Sequence, residues 1–185
     1  MGRVLVAAVY GVLCSAGVAQ ETKPFLPGTL IPSVVCTATP QQTYALYLPS
    51  TYSPNKRWPI IYAFDPGARG QVAVEAIRAA AEKTGYIVVA SNNSRNGAEA
   101  VSREAAKAMW YDTEQRFSID EPRRYLTGMS GGARMAAELA ISCHGCVAGV
   151  ISNAAGFPRG RSPSSALQFR YFAAYGNADF NFLEF

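Results

Sequence analysis

The apolar positions of this chain switch between two periods. Thr43–Leu48 (TYALYL) alternates, which predicts a strand. Trp58–Phe64 (WPIIYAF) and Tyr86–Ser91 (YIVVAS) are nearly continuous apolar runs, the pattern of strands buried on both faces. Between them Asp65–Gly70 (DPGARG) breaks the run, Val72–Lys83 takes helical spacing, and Gly85 supplies a stop. Asn92–Gly97 reads as a polar loop, and Glu99–Arg116 as a long helix with Met109 and Trp110 on its apolar side. Arg124–Thr127 reads as a short strand, Gly131–Cys143 as a helix and Val147–Ser152 as a strand. Ala154–Ser165 follows as a Gly/Pro/Ser loop, and Phe169–Tyr175 as a last strand. Strands alternating with helices imply a three-layer α/β domain around a mostly parallel central sheet. No repeat or linker divides the stretch, so residues 43–185 are read as one domain.

The first 42 residues do not share this pattern. Arg3 precedes an apolar run, Val4–Leu13, and Ser15, Ala16, Gly17, Val18 and Ala19 are small enough for a signal-peptidase site. Residues 1–19 are therefore expected to be a signal peptide, with cleavage after Ala19. The run is shorter than the about 20 apolar residues that a membrane span needs. Residues 20–42, Pro-rich at their start, are expected to form an extended lead-in. The expectation is a secreted or periplasmic protein with no membrane attachment beyond export.

Composition narrows the partners. The 185 residues carry a formal net charge of +4, one His and no basic run. A nucleic-acid binder presents a clustered basic face, so no nucleic-acid partner is expected. Export permits disulfides, and Cys143 and Cys146 form a C-x-x-C pair. Structural zinc would want a second such pair, and haem attachment a His directly after the second Cys, where Val147 stands. The pair reads as a helix-end disulfide, with Cys36 unpaired or joined to one of them, or as a redox dithiol.

The chemistry is concentrated at Gly128-Met129-Ser130-Gly131-Gly132. It fits G-x-S-x-G with an expected strand before it and an expected helix after it. A nucleophile at the apex of such a turn sits in strained backbone, with glycines where neighbouring side chains would clash. Ser130 is the candidate nucleophile, and the N–H of Gly131 can face a developing oxyanion. The second oxyanion donor is expected from the loop after an earlier central strand, at Gly67, Ala68 or Arg69. Asp179 follows the last strand and is the candidate acid that steers a general base. Asp112, Asp120 and Glu138 read as solvated helix or loop residues. Ser53–Lys56 matches S-x-x-K and Lys83–Gly85 matches K-T-G, but the first lies in a turn and the second ends a helix, so neither is read as a site.

The general base is missing from its place. The order Ser, acid, His requires a His after Asp179, and the only one is His144. His144 falls near the far end of the helix that Ser130 opens, roughly 20 Å away at the rise of a helix. It is not expected to be the base.

YALYLPSTY, RWPIIYAFDPGARG, RRYLTGMSGGARMA and YGNADFN together resemble the α/β-hydrolase fold. Within it they are similar to the secreted serine esterases that include polyhydroxybutyrate depolymerases and feruloyl or acetylxylan esterases. The resemblance implies Ser130 as nucleophile, Gly131 as oxyanion donor and Asp179 as triad acid. It implies a small-molecule or polymeric ester as substrate, and no metal or organic cofactor. It also implies a further helix, a further strand and a His loop, so the sequence reads as a hydrolase without its C-terminal part. Asp65-Pro66 stands where members of this branch often have His-Gly. Two other readings remain at this point: a peptidase in the same class, and a non-catalytic binding protein on the same fold.

Overall fold

The computed structural model describes residues 25–97, 99–158, 160–161 and 167–181. The segment read as a signal peptide lies outside them. Ten elements follow one another: β1 (Leu30–Val35), β2 (Thr43–Tyr47), β3 (Trp58–Phe64), α1 (Gly70–Thr84), β4 (Ile87–Ser91), α2 (Glu99–Arg116), β5 (Ile119–Met129), α3 (Gly131–Ser142), β6 (Gly149–Asn153) and β7 (Arg170–Ala174). The strands form one sheet in the order β1-β2-β4-β3-β5-β6-β7. β1 and β2 join it antiparallel, and β4, β3, β5, β6 and β7 run parallel.

Alternation along the strands sorts the side chains into two layers. Tyr44 and Leu46 of β2, Tyr62 and Phe64 of β3 and Val89 of β4 pack with Met109 of α2 and Met135, Ala136 and Ala140 of α3. Ala45 and Tyr47, Ala63, and Val88 and Ala90 face the opposite way, against Val74 and Ala81 of α1. Small residues on that second face let α1 lie close to the sheet. α1 ends where the sequence says it should, with Gly85 in left-handed backbone at φ 72. On the α1 side, farther along the sheet, Ile151 of β6 and Phe172 of β7 stand in register, 39% and 63% exposed.

Two strands differ from the sequence reading. β1 lies inside the segment read as a lead-in. Pro32 hid it, because proline removes a ladder donor, and an edge strand tolerates that loss. β5 begins at Ile119 rather than Arg124, and its register against β3 shifts between Trp58 and Ile60. Asp120, Glu121 and Pro122 gave that stretch the look of a loop.

Asp112 and Glu138 are buried, 2% and 5% exposed, and not solvated as expected. The Asp112 carboxylate accepts the Thr37 N–H at 2.8 Å, the Tyr44 hydroxyl at 2.8 Å and Arg116 Nε at 2.6 Å. It thereby ties α2 to the chain on either side of residues 38–43. Burial pushes its carboxyl up, but the bonds from Arg116, Thr37 and Tyr44 outweigh burial and hold it below the usual range. With the folded value depressed, its stabilising contribution is complete above about pH 4 and is lost as pH falls through the folded value. Asp112→Ala leaves Arg116 Nε and two neutral donors without their acceptor while Nη2 keeps Val35 O and Thr37 Oγ1, and is expected to cost about 3 kcal/mol in urea unfolding at pH 7. The gap to the unsubstituted protein should narrow in acid below about pH 4.

Candidate active site

β5 reaches the edge of the sheet at Met129, and α3 departs at Gly131, so the whole reversal falls on Ser130. Its backbone has φ 53 and ψ −119, a left-handed conformation that costs a residue with a side chain free energy. The neighbours hold it there. Ser130 N–H still donates to Asn153 O of β6 at 2.8 Å, while Ser130 O already accepts the N–H groups of Ala133 (3.0 Å) and Arg134 (3.2 Å). The turn is pressed against the end of β3. A Cβ at Gly132 would lie 2.1 Å from Phe64 O, and one at Gly128 would lie 2.3 Å from the Gly132 carbonyl. The two outer glycines of the motif are thus set by backbone packing. The middle position, Gly131, opens the first turn of α3, where N–H groups lack intrahelical partners.

The loop after β3 carries a buried carboxylate. Asp65, 5% exposed, forms a two-pronged ion pair with Arg69, Nε to Oδ1 at 2.9 Å and Nη2 to Oδ2 at 3.0 Å. Oδ1 also accepts the N–H of Gly67 at 2.8 Å and that of Arg69 at 3.3 Å. Burial raises the Asp65 carboxyl, and these four bonds more than offset it, holding the group below the usual carboxylate range. The N–H of Gly67, one of the groups expected to face an oxyanion, is turned into the loop toward Asp65 and is engaged there. Ala68 N–H points to Asp65 O at 3.3 Å, with Ala68 itself in left-handed backbone at φ 59.

The loop after β4 closes over this one. Asn96 N–H donates to Pro66 O at 2.9 Å, and Gly67 and Arg95 form an antiparallel bridge. A cavity of about 360 Å³ opens between the two loops and α3, lined among others by Asp65, Asn96, Gly131, Gly132, Arg134 and Glu138. Glu138, on its floor, takes Arg103 at 3.4 Å, Arg161 at 3.3 Å and the Ser142 hydroxyl at 3.1 Å.

Asp179 is half-buried on the segment after β7, two strands from β5 in the sheet. Its Oδ1 accepts the N–H of Asn181 at 2.8 Å. Asn181, which the sequence did not single out, anchors the segment. Its Nδ2 donates to Ala154 O and its Oδ1 accepts from Arg134 Nη2, both at 2.8 Å. Only this long-range pairing reveals it. His144 lies past the opposite end of α3, its Nδ1 3.0 Å from Ser142 O, in a turn closed by the Cys143–Cys146 disulfide. It has no part in the cluster at Ser130. Cys36 is free and buried, and burial, with Asp112 nearby, pushes its thiol up to about 11.

Ser130, the 65–70 loop, Asn96 and the post-β7 segment thus meet at the C-terminal ends of the parallel strands. No family model and no curated protein matches the sequence. Solved structures do match. A thermostable esterase aligns over 81% of this chain and 55% of its own, at 13% identity and a TM-score of 0.57. A mutant of the feruloyl esterase module from Clostridium thermocellum, complexed with sinapinate, aligns over 82% of this chain and 68% of its own, at 17% identity and a TM-score of 0.60. The fold is that of the α/β-hydrolases. Dipeptidyl peptidase 4 of Porphyromonas gingivalis shares it too, over 68% of this chain and 20% of its own, at 13% identity and a TM-score of 0.53. The α/β-hydrolase fold alone therefore does not separate ester from peptide cleavage. The chain spans little more than half of the thermostable esterase.

Proposed function

We propose that the protein is an exported serine hydrolase of carboxylic esters. One observation carries the reading: Ser130 alone bridges strand and helix, in left-handed backbone fixed by Gly128 and Gly132. Such a turn lifts a hydroxyl clear of the sheet and beside the unpaired N–H groups of a helix start. In this reaction Ser130 Oγ attacks the ester carbonyl and a general base takes its proton. The negative charge on the carbonyl oxygen is held by Gly131 N–H and a second donor. Collapse breaks the C–O bond and the alcohol leaves with the proton. Water then releases the acid and restores Ser130.

Asp179 orients the general base in this reading, and His144, at the wrong end of α3, is not that base. The polar cavity beside Gly131 receives part of the substrate. Export rests on the Arg3 to Ala19 pattern, and the Cys143–Cys146 disulfide suits an oxidising compartment.

The test is covalent. Native secreted protein is treated with a fluorophosphonate, which loses fluoride as a serine oxygen attacks phosphorus, and its peptides are weighed. We expect the added mass on the peptide containing Ser130. An unmodified Ser130 would leave the fold as the scaffold of a non-catalytic binding protein.

A further inference from the structure

In the serine-ester reading the elbow offers one oxyanion donor, Gly131 N–H, and the reaction calls for a second. The N–H of Gly67, where a second donor was expected, is spent on the Asp65 carboxylate at 2.8 Å. The Arg69 N–H leans on the same oxygen, and that of Ala68 on Asp65 O. Releasing Gly67 would take a hydrogen bond from a buried, ionised carboxylate, and bonds to charged groups are the expensive ones to break.

Another donor comes from the loop after β4. Asn96 holds its side chain over the elbow: Oδ1 lies 1.7 Å, and Nδ2 3.5 Å, from the point where a side chain on Gly131 would begin. Glycine at 131 leaves room for this amide where it lies, whereas Gly128 and Gly132 make room for backbone. The amide itself forms no hydrogen bond among the described residues, although its backbone is pinned by Pro66 O and the Gly67–Arg95 bridge. A polar group fixed at its root, unpartnered at its tip and laid against the nucleophile's neighbour is placed to meet a ligand. A half-turn about the Cβ–Cγ bond, a soft torsion in asparagine, exchanges oxygen for nitrogen and presents N–H to the same spot.

We propose that the Asn96 side-chain amide is the second oxyanion donor, in place of the 65–70 backbone. This rests on the serine-ester reading. Asp65 and Arg69 then act as a clasp that keeps the 65–70 loop, and through it Asn96, in position.

Asn96→Asp keeps the shape and replaces two donors by an acceptor, and Asn96→Ala removes the group. Both are compared with the native protein on p-nitrophenyl acetate, with thermal melts alongside. Because the donor acts only on developing charge, kcat should fall about 100-fold in each variant. KM should stay within about twofold and the melt should persist. If kcat is unchanged while Ser130 still takes the fluorophosphonate, or if only KM rises, the assignment to Asn96 is wrong and the serine reading stands. If the unsubstituted protein takes no label at Ser130, both fall together.

Discussion

Ser130→Ala in the native protein is expected to cut turnover of p-nitrophenyl acetate by about a million-fold in kcat, the loss found when a complete nucleophile–base pair is disabled. The size of the effect is the informative part. A serine that merely lines a cavity would contribute one hydrogen bond, worth about 1 kcal/mol and less than tenfold in rate. A nucleophile removes a whole covalent pathway, and what survives is the water reaction helped by the oxyanion donors. Gly131 N–H stays in place when the hydroxyl goes, so the residual rate should still exceed hydrolysis in buffer. Active-site titration by burst of p-nitrophenol fixes the enzyme concentration, and initial rates of both proteins give the ratio. A drop of tenfold or less would place the chemistry elsewhere.

Gly132→Val is expected to abolish the cooperative melt. The new Cβ would stand 2.1 Å from Phe64 O, 2.6 Å from Phe64 C and 3.2 Å from Asp65 N. All three are backbone atoms at the end of β3, which lies between β4 and β5 in the middle of the sheet. Overpacking costs about 1–3 kcal/mol where side chains can shift aside. Here the main chain of a central strand must move, and a domain has only about 5–15 kcal/mol to lose. Circular dichroism on heating decides it, with Gly131→Ala as the control. The atoms nearest a methyl there belong to Asn96, an exposed side chain that can swing away, so that melt should remain cooperative.

The contrast between these two glycines shows what the sequence could and could not reveal. The G-x-S-x-G spacing announced a strand-turn-helix elbow, because local backbone geometry demands small residues at fixed offsets. WPIIYAF and YIVVAS announced buried strands, because both faces of a parallel sheet are covered. Asp112 was misread because its partners Tyr44 and Thr37 lie 68 and 75 positions away, beyond the reach of any local pattern. The bond that engages the Gly67 N–H was illegible for a related reason. The place of Gly67 after a central strand is legible, but the direction of its N–H depends on Asp65 and Arg69 pairing across a turn. Asn96 carries no motif at all. Its meaning arises only when the loop after β4 folds onto the loop after β3.

That arrangement has an evolutionary consequence. The elbow, the Asp65 loop, the Asn96 loop and the Asn181-anchored segment come from four separate stretches of chain at one rim of the sheet. The stretches outside the elbow lie beyond the strands, so their outermost residues can be lengthened or exchanged while the contacts that tie them together, and the elbow itself, are kept. A lineage built this way can change the molecules it acts on by loop replacement, while Ser130 and the glycines around it stay as inherited.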